Sequence, residues 1–273
     1  MAVLIESAGL TDVGMKRKGN EDSYFLDDRM GLYVVADGMG GHLAGEVASK
    51  IVVDTIRDYM ARFGRDKNPE EMEDADANLS KEANRLLASI RLANQAVHSM
   101  SEQKKAYTGM GSTVSAVYTN ESGFVIANVG DSPIYLVHQG ALEPVYTPHT
   151  VVAEQAAMDP EAAGRLGEKF AHMLTRAMGV EATVAPSVFE LQAWPGDIVV
   201  IASDGLTNMV NPDEIRKAVT AERPEAACRS LVDLANSRGG DDNITVIILK
   251  VKKVSGQSGP LAEFLARVME FFR

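Results

Sequence analysis

The sequence predicts an α+β fold, an antiparallel β-sandwich flanked by helix pairs, and three observations carry that expectation. The strand-like runs are apolar at nearly every position, the helical patterns are long, and the two do not alternate strictly. A doubly wound parallel sheet would need that alternation, because each parallel crossover takes a helix. With 273 residues, 45% of them hydrophobic, the chain can bury a large core as a single domain.

Seven short runs rich in Val, Ile and aromatic residues read as strands: 23–26, 31–37, 112–119, 123–131, 134–140, 197–204 and 243–251. Their continuous apolar character fits strands covered on both faces. Long patterns with Ala, Leu and Ile at three- and four-residue spacing predict helices over 43–63, 79–103 and 224–237. The first two follow one another with no strand between them. The charged stretch "GRDKNPEEMEDADAN", 64–78, has few apolar residues and reads as an exposed connector. We take residues 1–252 as the domain, 253–260 ("KVSGQSGP") as a linker, and 261–273 as a terminal amphipathic helix. In that last segment Leu261, Phe264, Leu265, Val268 and Phe272 form one apolar stripe, expected to dock on the chain's own domain or on a partner.

Composition narrows the function. Twenty-seven Lys and Arg stand against 38 Asp and Glu, a net charge of −11, which argues against nucleic acid or an anionic membrane as partner. Cys228 is the only cysteine, so no disulfide and no thiolate metal cluster is expected, and a reducing cytoplasm is the compartment implied. No secretory signal and no membrane span is expected either, since no uncharged apolar run approaches the ~18 residues a span needs.

Chemistry enters where the strands stop. "VVADG" ends on Asp37 and Gly38, "VIANVGDS" on Asp131 and "VVIASDG" on Asp204, while "DDNITVIIL" begins a strand just after Asp242. Taken singly, each is an ordinary turn. Together, strands meeting at one rim of a sandwich would crowd four carboxylates, and like charges that close either keep protons or need a cation. Carboxylates plus a backbone carbonyl make a hard oxygen site suited to Mg²⁺ or Mn²⁺. Gly38 allows the chain to turn a carbonyl toward such an ion. Glu21 and Asp22, just before another strand, are placed to accept from metal-bound water.

These residues resemble the metal-dependent serine/threonine protein phosphatases, the PPM or type 2C family, in its bacterial form. The segments "TDVGMKRKGNEDSYF", "LYVVADGMGGHLAGEVAS", "GMGSTVSAVY", "ANVGDSPIYLV", "MLTRAMG", "GDIVVIASDGLTNMV" and "DDNITVIIL" carry the resemblance from Thr11 to Leu249. It implies a four-layer fold, the central antiparallel β-sandwich flanked on both faces by antiparallel helices, with a dinuclear metal centre at one rim. It further implies Asp37 as the bridging ligand, the Gly38 carbonyl as a ligand of one metal, and Asp204 and Asp242 as ligands of the other. Glu21 and Asp22 would be outer-shell acids, Arg17 would grip the substrate phosphate, and a weaker third cation would sit near Asp131 and Asp204. The implied reaction is hydrolysis of phosphoserine and phosphothreonine in proteins by a metal-bridged hydroxide attacking phosphorus directly. Substrates would be proteins phosphorylated by a bacterial serine/threonine kinase.

Three positions depart from the family pattern. Pro133 replaces the arginine of "GDSR", Pro148 stands in the acidic place of "DHS", and Met39 occupies the place of a histidine found in eukaryotic relatives. His42, at a helix start, is a minor candidate for a proton donor, and the other histidines are given no role. Two other functions compete with this one: a phosphoprotein-binding regulatory module with weak turnover, and a metal nuclease. Intact Asp37, Asp204 and Asp242 oppose the first, and the acidic surface opposes the second.

Overall fold

A computed structural model describes residues 3–40, 43–63, 75–121, 123–167, 170 and 173–254. In chain order these form β1 (Val3–Asp12), β2 (Asp22–Asp27), β3 (Leu32–Met39), α1 (Leu43–Phe63), α2 (Lys81–Gln103), β4 (Gly111–Ser112), β5 (Val114–Thr119), β6 (Gly123–Val129), β7 (Ile134–His138) and β8 (Ala141–Pro144). There follow α3 (Val151–Met158), α4 (Pro160–Ala163), β9 (Ser187–Gln192), β10 (Ile198–Ala202), α5 (Asp204–Thr207), α6 (Pro212–Ala221), α7 (Pro224–Ser237) and β11 (Ile244–Val254). One sheet has the order β1-β11-β10-β7-β8; the other has β2-β3-β5-β6-β9, with β4 pairing β3. Every strand pairing is antiparallel.

Three cores divide the molecule into four layers. On β3, Leu32, Val34 and Ala36 pack into a core with Val52 and Ile56 of α1 and Leu86 and Ile90 of α2. The alternate residues Tyr33 and Val35 face the other way, against Val199 and Ile201 of β10 and Ile247 of β11, in the core between the sheets. Val200, Val246 and Ile248 turn outward onto Ile215 of α6 and Leu231 of α7. The period of two is therefore present, but both faces are buried, so the sequence reads as unbroken hydrophobic runs.

Local chemistry sets the helix boundaries. Ser80 caps α2 by accepting from the Ala83 N–H, so that helix begins at Lys81, two residues later than the apolar spacing predicts. Asn211 and Glu214 close a capping box on α6 with Pro212 behind it. At the far end β11 continues through Lys253 and Val254, two residues past the expected domain boundary. His42, residues 64–74 of the charged connector, and residues 255–273 with the amphipathic segment lie outside the described residues.

Candidate active site

The two sheets bring the acid-bearing strand ends to one rim. A cleft of about 500 Å³ opens there, lined by Arg17, Glu21, Asp37, Gly38, Met39, Gly40, Thr113, Asp131, Leu174, Asp204, Asp242 and Asn243. Seven of the eight residues expected at the site thus share one cavity. The eighth, Asp22, lies behind it: it pairs in register with Asp37 across β2 and β3 and is 7% exposed. Its Oδ2 accepts from the hydroxyls of Ser203 (2.8 Å) and Thr245 (2.6 Å), while Oδ1 is buried without a hydrogen-bond partner.

Each acid is held by its element. Asp37 sits near the end of β3, where its backbone N–H donates to Thr113 Oγ1 (3.0 Å) and its carbonyl accepts from the Thr113 N–H (2.8 Å) and Ser112 Oγ (2.9 Å). Gly38 follows in the same strand, so the expected turn there does not occur; its glycine serves packing instead. A Cβ at Gly38 would come within 2.1 Å of the Gly45 carbonyl oxygen and 2.6 Å of the Glu21 carbonyl oxygen. Asp204 opens α5 directly after β10, and Asp131 follows Gly130, whose φ of +99° turns the chain out of β6. Asp242 precedes β11, and Asn243 beside it fastens the Arg17 loop: its Nδ2 donates to the carbonyls of Val13 (3.0 Å) and Gly19 (2.9 Å), and its Oδ1 accepts from the Glu21 N–H (2.8 Å).

The electrostatics follow from this crowding. Burial, and then the charges of Asp22, Asp204, Asp242 and Asp131, push the Asp37 carboxyl well above the usual carboxylate range. Burial likewise raises Asp22 to about 6 against the opposing hydrogen bonds from Thr245 and Ser203, with Asp204 and Asp242 adding to the rise. Arg17, half-exposed, is the cation among the described lining residues, and its Nη2 meets Asp242 Oδ2 at 2.7 Å. Among the described residues no three carboxylate, imidazole or thiolate side chains already stand in a metal-holding arrangement, in keeping with Asp242 being turned onto Arg17. The donor set nonetheless fits a hard divalent cation. The titratable lining groups other than Arg17 are carboxylates, the charges of Asp131, Asp204 and Asp242 add to the proton affinity of Asp37, and no thiolate or imidazole is among them.

Several contributors carry little sequence signal. Thr113, Ser203, Thr245 and Asn243 act only through partners far away in the chain, and their motifs "GST", "ASD" and "DNIT" mark them only as neighbours of the acids. His149, given no role by its spacing, is fully buried beside the Asp131 turn, where its Nδ1 accepts from the Gly130 N–H at 3.1 Å.

A rim of hard oxygen donors at the mouth of a helix-flanked double sheet defines a metal-dependent hydrolase. The chain belongs to the protein phosphatase 2C family, whose model matches residues 16–233. It is 34% identical over 247 residues to a serine/threonine phosphatase, stp, of Listeria monocytogenes, covering 88% of this chain and 93% of that one. PppA, described as a key regulatory component of the T6SS in Pseudomonas aeruginosa, superposes with a TM-score of 0.77 at 31% identity over 92% of this chain and 99% of its own. The catalytic domain of the serine/threonine protein phosphatase PstP, solved with two manganese ions, superposes with a TM-score of 0.75 at 29% identity, covering 92% and 100%. The expected fold and the expected family are both met, and divalent metal use comes with the family.

Proposed function

We propose that this protein hydrolyses phosphoserine and phosphothreonine in phosphoprotein substrates, with two divalent cations, Mn²⁺ or Mg²⁺, held by Asp37, the Gly38 carbonyl, Asp204 and Asp242. The observation that carries this reading is the convergence of Asp37, Asp131, Asp204 and Asp242 on one cleft. A weaker third cation would be held by Asp131 with Asp204. When bound, such cations would supply charge neutralisation for these acids and Lewis-acid activation of the phosphoryl group and of the attacking water. The reaction consumes that water and the ester, breaks the P–O bond and releases inorganic phosphate and the seryl or threonyl alcohol.

The chain's own residues supply the positioning. Thr113 and Ser112 fix the backbone of Asp37, and Asn243 fixes the loop that carries Arg17 at the cleft rim. Arg17 would fork onto two phosphoryl oxygens, which requires leaving Asp242; a half-exposed pair of this kind is worth only ~0.2–1 kcal/mol, so the exchange is inexpensive. Glu21 and the buried Asp22 would accept from water held in the site. Substrates would be proteins phosphorylated by a bacterial serine/threonine kinase in the cytoplasm. Among the described residues no helix is long and apolar enough to cross a membrane.

Hydrolysis of a phosphothreonine peptide and of a small aryl phosphate is expected only with added Mn²⁺ or Mg²⁺, with single-stranded DNA left intact. Full activity in excess chelator, or cleavage of the DNA, would sink the proposal. Arg17→Ala is expected to raise KM roughly tenfold with a smaller fall in kcat, because a charge-assisted clamp holds both bound substrate and transition state. Wild-type KM and kcat in that variant would take Arg17 out of substrate binding.

A further inference from the structure

We infer that His149 is a positioning residue for the reaction: by clasping Gly130 it aims Asp131 into the cleft. The inference rests on the assignment of a cation to Asp131 made above. Both backbone polar groups of Gly130 meet this one residue, and Asn128 Nδ2 adds a longer donation to the carbonyl at 3.3 Å. The Gly130 N–H donates to His149 Nδ1 at 3.1 Å, and the Gly130 carbonyl accepts from the His149 N–H at 3.0 Å. Asp131 is the next residue, so the direction in which it leaves β6 is set by that double contact.

The turn has no slack elsewhere. Gly130 stands at φ +99°, and a Cβ there would lie 2.7 Å from Thr113 Cγ2, so Thr113 packs directly against the turn. Thr113 Oγ1 is 2.7 Å from the hydroxyl of Ser132, and Ser115 Oγ donates to the Ser132 carbonyl at 2.5 Å. Asp131 is therefore flanked on the chain by two anchored neighbours, one held by His149 and one by the Thr113 group that also receives the Asp37 N–H. Of the two anchors, the imidazole is the one whose chemistry can be varied without touching the Asp37 backbone.

The protonation state of the ring follows from its partners. Because Nδ1 accepts from an amide N–H, it carries no proton, and a neutral imidazole then bears its hydrogen on Nε2, which donates to Ser187 Oγ at 3.0 Å. Arg176 Nη1 lies 3.1 Å from the same Nε2, and burial together with this neighbouring charge holds the ring's pKa down to about 4. A protonated ring would present Nδ1–H to the Gly130 N–H and release the turn. Arg176 in turn reaches Glu154 of α3 at 3.4 Å, and Thr175 Oγ1 donates to the same Glu154 oxygen at 2.8 Å. The N-cap of α3, Thr150, forms a β-bridge with Leu174 of the cleft wall. The clasp thus belongs to a chain of contacts from the cleft wall to the Asp131 turn.

Two substitutions separate the ring's edges. His149→Asn keeps an amide oxygen where Nδ1 accepts, and His149→Gln places its amide near Nε2, within reach of Ser187 but away from the Gly130 N–H. In the full chain with Mn²⁺ and a phosphothreonine peptide, His149→Asn is expected to keep kcat within about threefold of the parent. His149→Gln is expected to lose roughly 10- to 100-fold in kcat with little change in KM, and to need more Mn²⁺ for half-maximal rate. Adding His149→Gln to Asp131→Ala should then lower kcat by less than about twofold more, since both act through one site. Equal loss in the Asn and Gln variants, a parental kcat in the Gln variant, a fully multiplicative double variant, or failure of His149→Asn to fold would each overturn the inference in favour of a packing role. If Asp131→Ala itself turns over normally, the failure lies with the cation assigned to Asp131, and the positioning role falls with it. If Asp131→Ala is impaired while His149→Gln is not, only the positioning role fails.

Discussion

Asp37→Asn is expected to lower kcat/KM by about a thousandfold while leaving the protein folded, and to leave the metal-free protein as stable as the parent or more so. The first half follows from the carboxylate's place between the proposed cation sites. Electrophilic stabilisation by metal is worth several kcal/mol, and each 1.36 kcal/mol is tenfold in rate. The second half follows from its surroundings. Burial and four nearby carboxylates already push the Asp37 carboxyl far toward its protonated form, so an isosteric amide removes a cost that the folded chain otherwise bears. The hydrogen bonds that hold this part of β3 run through the backbone, to Thr113 and Ser112, and survive the change. Mn²⁺ titration calorimetry, steady-state kinetics and thermal melts in chelator measure the three parts. Parental metal affinity with parental turnover would show that the site is misplaced. A large fall in the chelated melting temperature would make Asp37 a structural residue.

Gly38→Ala is expected to cost about 3 kcal/mol or more, at the upper end of what overpacking does, because the atoms in the way are backbone. The methyl group would lie 2.1 Å from the Gly45 carbonyl oxygen and 2.6 Å from that of Glu21. Neither can move without shifting the first turn of α1 or the entry to β2. Gly45 is tight in return, since a Cβ there would meet the Glu21 carboxylate at 2.7 Å. For a domain of this size the melting temperature should fall by roughly 6–12 °C. Phosphatase activity should fall further than the folded fraction does, because the same shift displaces the Gly38 carbonyl and Glu21 together. A melting temperature within a degree of the parent would mean that the packing around Gly38 yields easily, and normal turnover beside it would remove Gly38 from the site.

The strands and helices that the sequence announces are those with two buried faces or one long stripe. Runs 31–37, 197–204 and 243–251 have apolar centres because β3, β10 and β11 lie between other layers, and helices 43–63 and 224–237 end where their spacing predicts. The strands without such a signal are β1, β8 and β9, and all three are sheet edges. In β1 the residues Glu6, Ser7 and Gly9 interrupt the apolar pattern, and the strand exists because it pairs with β11 over its whole length. An edge strand covers less surface, so its sequence needs fewer apolar side chains and looks like a loop. The short helices α3, α5 and α6 are likewise weakly marked; α6 is recognisable chiefly by its cap.

What the sequence determined by itself was the set of acids and the layer order, because charge type and hydrophobic period are properties of single residues and short windows. Asp37, Asp131, Asp204 and Asp242 could be chosen from 38 acidic residues because each abuts an apolar run. The tertiary structure alone decided how those acids are held. It put Asp22 behind the cleft under Ser203 and Thr245, turned Arg17 onto Asp242, and set His149 against Gly130. Those contacts join residues 181, 223, 225 and 19 positions apart. No local pattern encodes such pairs: a buried hydroxyl, amide or imidazole takes its role from whichever unsatisfied group the packed sheets bring to it.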